Sequence, residues 1–309
     1  MGWKKLGMIF DIKQHNIGWL KSHAMLPTPL LLDDRIRIYF TGRDISGRSR
    51  ISFVDLSRED PKKILYVHDR PLLDVGKLGT FDDSGTLGTF AVQNGNEVYL
   101  YYNGYNLRVT VPWSNAIGLA VSRDNGMTFE RAFEGPIADR TMAEPYFAIT
   151  PCILRDNGLW HIWYTSGTGW AVVGERPEPL YVIKYASSTD GIVWKRDNVT
   201  CIQPHSPEEA NARAAVVKDG DRYKLWFIYR GSKDFRDGTD SYRIGYAEAD
   251  DPVHWTRDDT KSGIDLSPDG WDSRMQAYPA IVTVEGSRYL FYNGNGFGAA
   301  GFGCAVWEE

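Results

Sequence analysis

"YLYYNG" (99–104) and "YLFYNG" (289–294) differ at one position, and the reading of the fold starts from them. Both are runs of strand-forming residues that stop at Asn-Gly, a pair suited to turns. The likeness extends outward. FDDSGTLGTFAVQNGNEVYLYYNG (81–104) and WDSRMQAYPAIVTVEGSRYLFYNG (271–294) align without a gap at a constant offset of 190. Self-similarity at a fixed offset marks a repeat architecture.

Three further copies complete the series: TPLLLDDRIRIYFTG (28–42), TPCILRDNGLWHIWYTSG (150–167) and RAAVVKDGDRYKLWFIYRG (213–231). Each reads as an apolar run, a polar turn and a second run rich in aromatics, the pattern of a β-hairpin. A third strand follows each hairpin, as in AIGLAVSRDNGMTFER (116–131) and VIKYASSTDGIVWKR (182–196). No long segment of period 3.6 intervenes, so helices are minor. Four antiparallel strands repeated five times predict an all-β, five-bladed β-propeller. Residues 1–309 are expected to form one domain, with blades near 11–60, 61–133, 134–199, 200–260 and 261–309. The last unit ends at its third strand, Phe302 to Trp307. Residues 3–10 are predicted to supply its fourth strand, so that pairing of N- and C-terminal strands closes the ring and removes its edges.

Composition narrows the class. The 309 residues are 42% hydrophobic and 24% charged, as in ordinary globular proteins. A net charge of -5 without a basic stripe excludes a polyelectrolyte role with nucleic acid as partner. Cys152, Cys201 and Cys304 are odd in number and widely spaced, the pattern of reduced core thiols. The apolar run before Asp11 is too short for a signal-peptide core. No stretch approaches the roughly 18 apolar residues of a membrane helix. The expectation is a cytoplasmic protein with no membrane partner. The six histidines lack metal-ligand spacing, so no metal is expected. "GFGAAG" (296–301) has the glycine spacing of a dinucleotide loop but reads into a strand rather than a helix, so no cofactor is expected. "SRDNGMTF" (122–129) reads as a structural Asp turn.

The repeated YYxG hairpins and the turn SSTDGIVW (187–194) resemble those of the five-bladed propeller glycosidases, which include the arabinanase/xylosidase, invertase and mannoside phosphorylase families. The resemblance covers the whole chain. It implies an active site in a funnel on the ring axis, with a carbohydrate as ligand or substrate. It also implies carboxylates at the starts of the innermost strands. At the places where the arabinanase/xylosidase family carries its three acids, this chain reads Leu26-Pro27, Ala91 and Ile149-Thr150-Pro151. The phosphorylase signature Glu-Asp-Pro-Arg is replaced by ITPC.

Hairpin topology selects the residues that ring the mouth: those before the first strands and those ending the second. The candidate catalytic groups are Asp83, Glu144, Asp272 and His23. Asp83 and Glu144 are the candidate pair for glycoside cleavage, which needs two carboxyl groups flanking the scissile bond. Asp82 and Asp272 share a repeat position and also read as turn-formers. The candidate binding residues are Arg43, Asn103, Tyr146, Ser166, Arg213, Arg230, Arg274, Gln276, Tyr278 and Asn293. Tyr146, Tyr278, Trp170 and Phe297 are suited to stack on sugar rings. Four arginines on one face favour an anionic sugar, because guanidinium groups take carboxylate or phosphate bidentately. Two functions remain open. One is a glycoside hydrolase-like enzyme that cleaves or transfers a glycosyl group in the funnel. The other is a non-catalytic carbohydrate-binding propeller derived from such an enzyme.

Overall fold

A computed structural model describes residues 2–236 and 238–308. The repeats fold as five four-stranded antiparallel sheets, the blades of a β-propeller. The innermost strands are Ser22–Leu31, Gly85–Asn94, Ala148–Asp156, Ala210–Asp219 and Ala277–Val284. Each packs against the innermost strand of the next blade, and the fifth packs against the first. Helical structure among the described residues consists of short turns, such as Asn295–Gly298. None is long and apolar enough to cross a membrane. Cys152, Cys201 and Cys304 are buried free thiols.

The chain ends close the ring as the repeat predicts. Gly2–Asp11 is the outermost strand of blade five and pairs antiparallel with Gly301–Glu308, Trp3 opposite Trp307 and Phe10 opposite Phe302. Phe10 is fully buried and contacts Phe40 of blade one at 5.1 Å and Phe302 at 5.5 Å between ring centroids. The expected boundary at residue 60 is corrected. Ile64–Val67 pairs with Ser49–Leu56 and is the fourth strand of blade one.

The paired stretches YLYYNG and YLFYNG carry the same structural roles in blades two and five. Every innermost strand carries a bulge, seen as a break in its pairing register. A bulge frees a backbone N–H from the ladder, and a buried N–H needs another acceptor. The preceding blade supplies it. Asn103 Oδ1 accepts from Thr150 N at 3.0 Å, and Asn293 Oδ1 accepts from Leu26 N at 2.9 Å. Thr41 Oγ1 accepts from Gly88 N and Thr165 Oγ1 from Arg213 N, each at 3.1 Å. The glycine after each asparagine leaves room for the aromatic of the entering loop. A Cβ at Gly104 would lie 2.5 Å from the Phe81 ring, and one at Gly294 2.5 Å from the Trp271 ring.

The tyrosine before each asparagine belongs to a second device. Tyr102 Oη donates to Asp82 at 3.0 Å, and Arg131 on the outermost strand of the blade pairs with the same carboxylate at 2.7 Å. In blade three Tyr164 Oη donates to Glu144 at 3.0 Å, Ser166 Oγ donates at 2.7 Å, and Arg196 pairs at 3.0 Å. In blade five Tyr292 Oη donates to Asp272 at 2.9 Å, and Lys5 pairs at 2.7 Å. Blade four uses Glu209 and Arg257 at 2.6 Å. Each carboxylate thus ties the loop that enters a blade to its outermost strand, across the intervening sheet.

Burial pushes the Glu144 carboxyl upward, but Ser166, Arg196 and Lys184 outweigh it and hold the group below the ordinary range. Asp272 is likewise pushed up by burial and held low overall by Lys5, Ser267 and Tyr292. A depressed folded-state value gives stability that is present above the unfolded value, about 4, and is lost as pH falls through the folded value. We therefore expect the melting temperature to fall on acidification below about pH 4, with a shallower acid limb in Glu144→Gln. Glu144→Ala leaves Arg196 buried without its anion and is expected to cost about 3–5 kcal/mol in denaturant unfolding. Phe10→Ala opens the ring closure and is expected to cost a similar amount, about 3–5 kcal/mol. Wild-type melting curves for these three variants would contradict the clamp and the closure.

Candidate active or binding site

The bulges turn one residue of four innermost strands toward the axis. Leu26, Thr150, Arg213 and Tyr278 take the left-handed region, with φ of 55°, 46°, 52° and 56°. All four line an axial cavity of about 380 Å³. The walls are aromatic, with Trp113, Tyr181, Tyr242, Phe235 and Phe297 among them. Its charged lining consists of Arg43, Arg213 and Arg236, and no Asp or Glu lines it among the described residues.

Arg213 forms the floor. Its side chain crosses from blade four to three other blades. It donates to the Pro279 carbonyl at 3.4 Å, to Pro27 O and Thr28 Oγ1 at 3.4 Å, and to Thr89 O. It is 2% exposed and has no carboxylate partner among the described residues. Burial pulls its pKa down to about 10, which leaves it charged at neutral pH. Three backbone carbonyls and one hydroxyl solvate this buried cation without neutralising it, so the cavity it lines carries a net positive charge at that point.

A second guanidinium supports the wall. Arg230 lies behind Tyr181, Tyr242 and Phe235, 3.8 Å above the Phe235 ring. It donates to Tyr181 Oη at 3.1 Å and to Gly231 O at 2.8 Å, again without a carboxylate among the described residues. Arg43 at the rim is exposed and makes no ion pair among the described residues. Arg236 does, with Glu178 at 2.8 Å. Burial raises the Tyr181 and Tyr278 hydroxyls well above 10, so both stay neutral donors.

The structure sorts the residues expected from sequence into two groups. Arg43, Asn103, Arg213 and Tyr278 line the cavity. The carboxylates do not. Glu144 and Asp272 are 1% exposed and turned into the clamps, where Ser166 and Gln276 accompany them. Asp83 lies in the entering turn, accepting from Gly79 N at 3.0 Å and Asn106 Nδ2 at 2.7 Å. Asp83 and Glu144 are therefore not brought together across the cavity. The reason is local: a cation on the outermost strand draws the blade-three carboxylate away from the axis, and Gly79 N, the Asn106 amide and the Ser84 hydroxyl occupy that of Asp83. His23 hydrogen-bonds Ser22 at 2.8 Å outside the lining. Burial and the charge of Arg43 lower its pKa to about 4, so it is neutral at physiological pH. Asn293 is a buried latch, Arg274 is exposed on the blade-five loop, and Tyr146 lines a neighbouring cleft. The place compared with Ala91 is also corrected, since the blade-two bulge falls at Gly88–Phe90.

Arg236, Phe235, Tyr242 and Trp113 join the site without having been expected there. The first three lie in the connection between the second and third strands of blade four, 231–242. Trp113 opens the third strand of blade two, directly after the corresponding connection. The blade-four connection contributes to the wall of the axial cavity, whereas residues 108–111 of the blade-two connection line a neighbouring cleft. Their signal in the sequence is length: the segment 231–242 is far longer than a hairpin turn.

No family model matches the chain. Two proteins of Mycobacterium tuberculosis match end to end, Uncharacterized protein MT1551 of strain CDC 1551 and Uncharacterized protein Rv1502 of strain H37Rv. Each is 40% identical over 312 residues, covering 100% of both chains. Among solved structures, a BT0996 RGII complex superposes with a TM-score of 0.74 at 16% identity, covering 99% of this chain and 92% of that one. A thermostable family-43 glycoside hydrolase gives 0.70 at 17%, covering 93% and 91%. A GH130 structure from work on mannoside phosphorylases and β-1,2-mannosidic hydrolases gives 0.69 at 14%, covering 99% and 94%. The fold is thus that of the five-bladed propeller glycoside hydrolases, and the chain belongs to the family of the two mycobacterial proteins.

Proposed function

We propose that the protein is a carbohydrate-binding propeller that holds an anionic saccharide in its axial funnel. The observation that carries this reading is Arg213, a charged guanidinium at the cavity floor with no carboxylate among the described residues to neutralise it. A ligand carboxylate or phosphate supplies the missing anion, and the low polarity of the site strengthens that contact. Arg43 adds a second cation at the rim. Trp113, Tyr181 and Phe297 offer apolar faces to a sugar ring, and the neutral tyrosine hydroxyls hydrogen-bond its oxygens.

Binding is favoured over cleavage by what the cavity wall is made of. Most glycoside hydrolysis uses an acid and a second carboxylate on either side of the bond. The carboxylates of blades two, three, four and five are engaged in clamps. The three free buried thiols support a reducing compartment as the location.

Calorimetric titration of glucuronate, galacturonate, N-acetylneuraminate and mannose 6-phosphate against glucose, galactose and mannose tests the reading. At least one acidic sugar is expected to bind, with its neutral counterpart at least tenfold weaker. Arg213→Met and the rim variant Arg43→Ala are each expected to weaken binding by about tenfold or more. Equal binding of neutral sugars, no binding at all, or turnover of an aryl-glycoside panel contradicts it.

A further inference from the structure

The funnel does not end at its own wall. A second cleft of about 530 Å³ lies beside it at the seam of blades two and three. Trp113 lines both cavities. The cleft is walled by Trp113, Trp170 and Tyr146, with Arg108 and Arg140 beside them and no Asp or Glu in its lining among the described residues. Trp113 packs edge-on against Trp170 at 5.1 Å and against Phe147 at 5.0 Å, and Phe147 reaches Tyr181 of the funnel at 6.3 Å. Trp113 therefore joins the aromatic linings of the two cavities, with buried Phe147 packed behind it. Tyr146 is 38% exposed, so its ring is open to a ligand. Arg108 makes no ion pair among the described residues, and Arg140 has only Asp139, its chain neighbour, at 3.6 Å.

We infer that the seam cleft is a second subsite, and that the ligand is an acidic oligosaccharide with anionic groups on successive units. This deepens the funnel reading and rests on it. The terminal unit sets its anion over Arg213 and Arg43. The chain then passes Trp113, and the next unit lies against Tyr146 and Trp170 with its anion toward Arg108 and Arg140. Aromatic faces and guanidinium groups in alternation suit a chain of rings that each carry a charge. A ligand of one unit has no use for the second set of cations. A neutral chain has no use for either.

The test compares monomer with oligomer by calorimetry, using galacturonate and trigalacturonate, and N-acetylneuraminate and its dimer. In at least one pair the oligomer is expected to bind tenfold or more tightly than the monomer. Tyr146→Ala and Arg140→Ala, both at exposed positions, should return the oligomer toward the monomer affinity while leaving monomer affinity unchanged. Raised salt should weaken the oligomer more than the monomer. Monomer binding without an oligomer gain, or a gain that survives both substitutions, overturns the seam subsite and leaves the funnel reading standing. Absence of binding by every monomer and oligomer overturns both.

Discussion

A buried carboxylate gripped by a tyrosine and a cation is the interaction on which this ring depends. Three blades carry it in full: Asp82 with Tyr102 and Arg131, Glu144 with Tyr164 and Arg196, and Asp272 with Tyr292 and Lys5. The grip spans a whole blade, from the loop that enters it to the strand at its outer edge. In blade five the cation comes from the N-terminal strand, so the same device fastens the ring closure. Removing the cation strands a carboxylate that is almost wholly shielded from water.

The clamps also decide where charge is left over. Carboxylates are consumed inside the blades, and guanidinium groups collect on the axis. Arg213 and Arg230 are buried against carbonyls and aromatic rings, with no anion beside them among the described residues. A fold whose known members include glycoside hydrolases thus presents an electropositive, aromatic funnel here rather than an acidic one. The scaffold and the site are two consequences of one distribution of charged residues.

The scaffold is legible in the sequence because repetition exposes it. Five copies of a hairpin set the blade number, and the incomplete last copy sets how the ring closes. Even the asparagine and glycine of the opening stretches are regular in role, as latch and as seat for an aromatic ring. That regularity hides which copies face the ligand. Asn293 ends a strand at the mouth, yet it is buried in a latch. The carboxylates escape the sequence for a related reason. Strand topology says where a loop begins, whereas the direction of Glu144 is set by Arg196, which is 52 residues away on the outer strand. Arg43 is legible from its place at the end of a second strand, and Arg213 and Tyr278 from theirs near the start of an innermost strand, where the bulge turns them to the axis. Arg236 and Tyr242 are hidden in a connection far longer than a hairpin turn, outside the repeated strands.

Recognition of an anion by guanidinium groups in the axial funnel is the central claim. A crystal structure of the protein soaked with the acidic monosaccharide that binds most tightly tests it most directly. The carboxylate or phosphate of the sugar is predicted to lie over Arg213, within hydrogen-bond distance of it or of Arg43, with a sugar ring against the aromatic wall. A sugar seated in the funnel with its anionic group turned to solvent, away from both arginines, would contradict it.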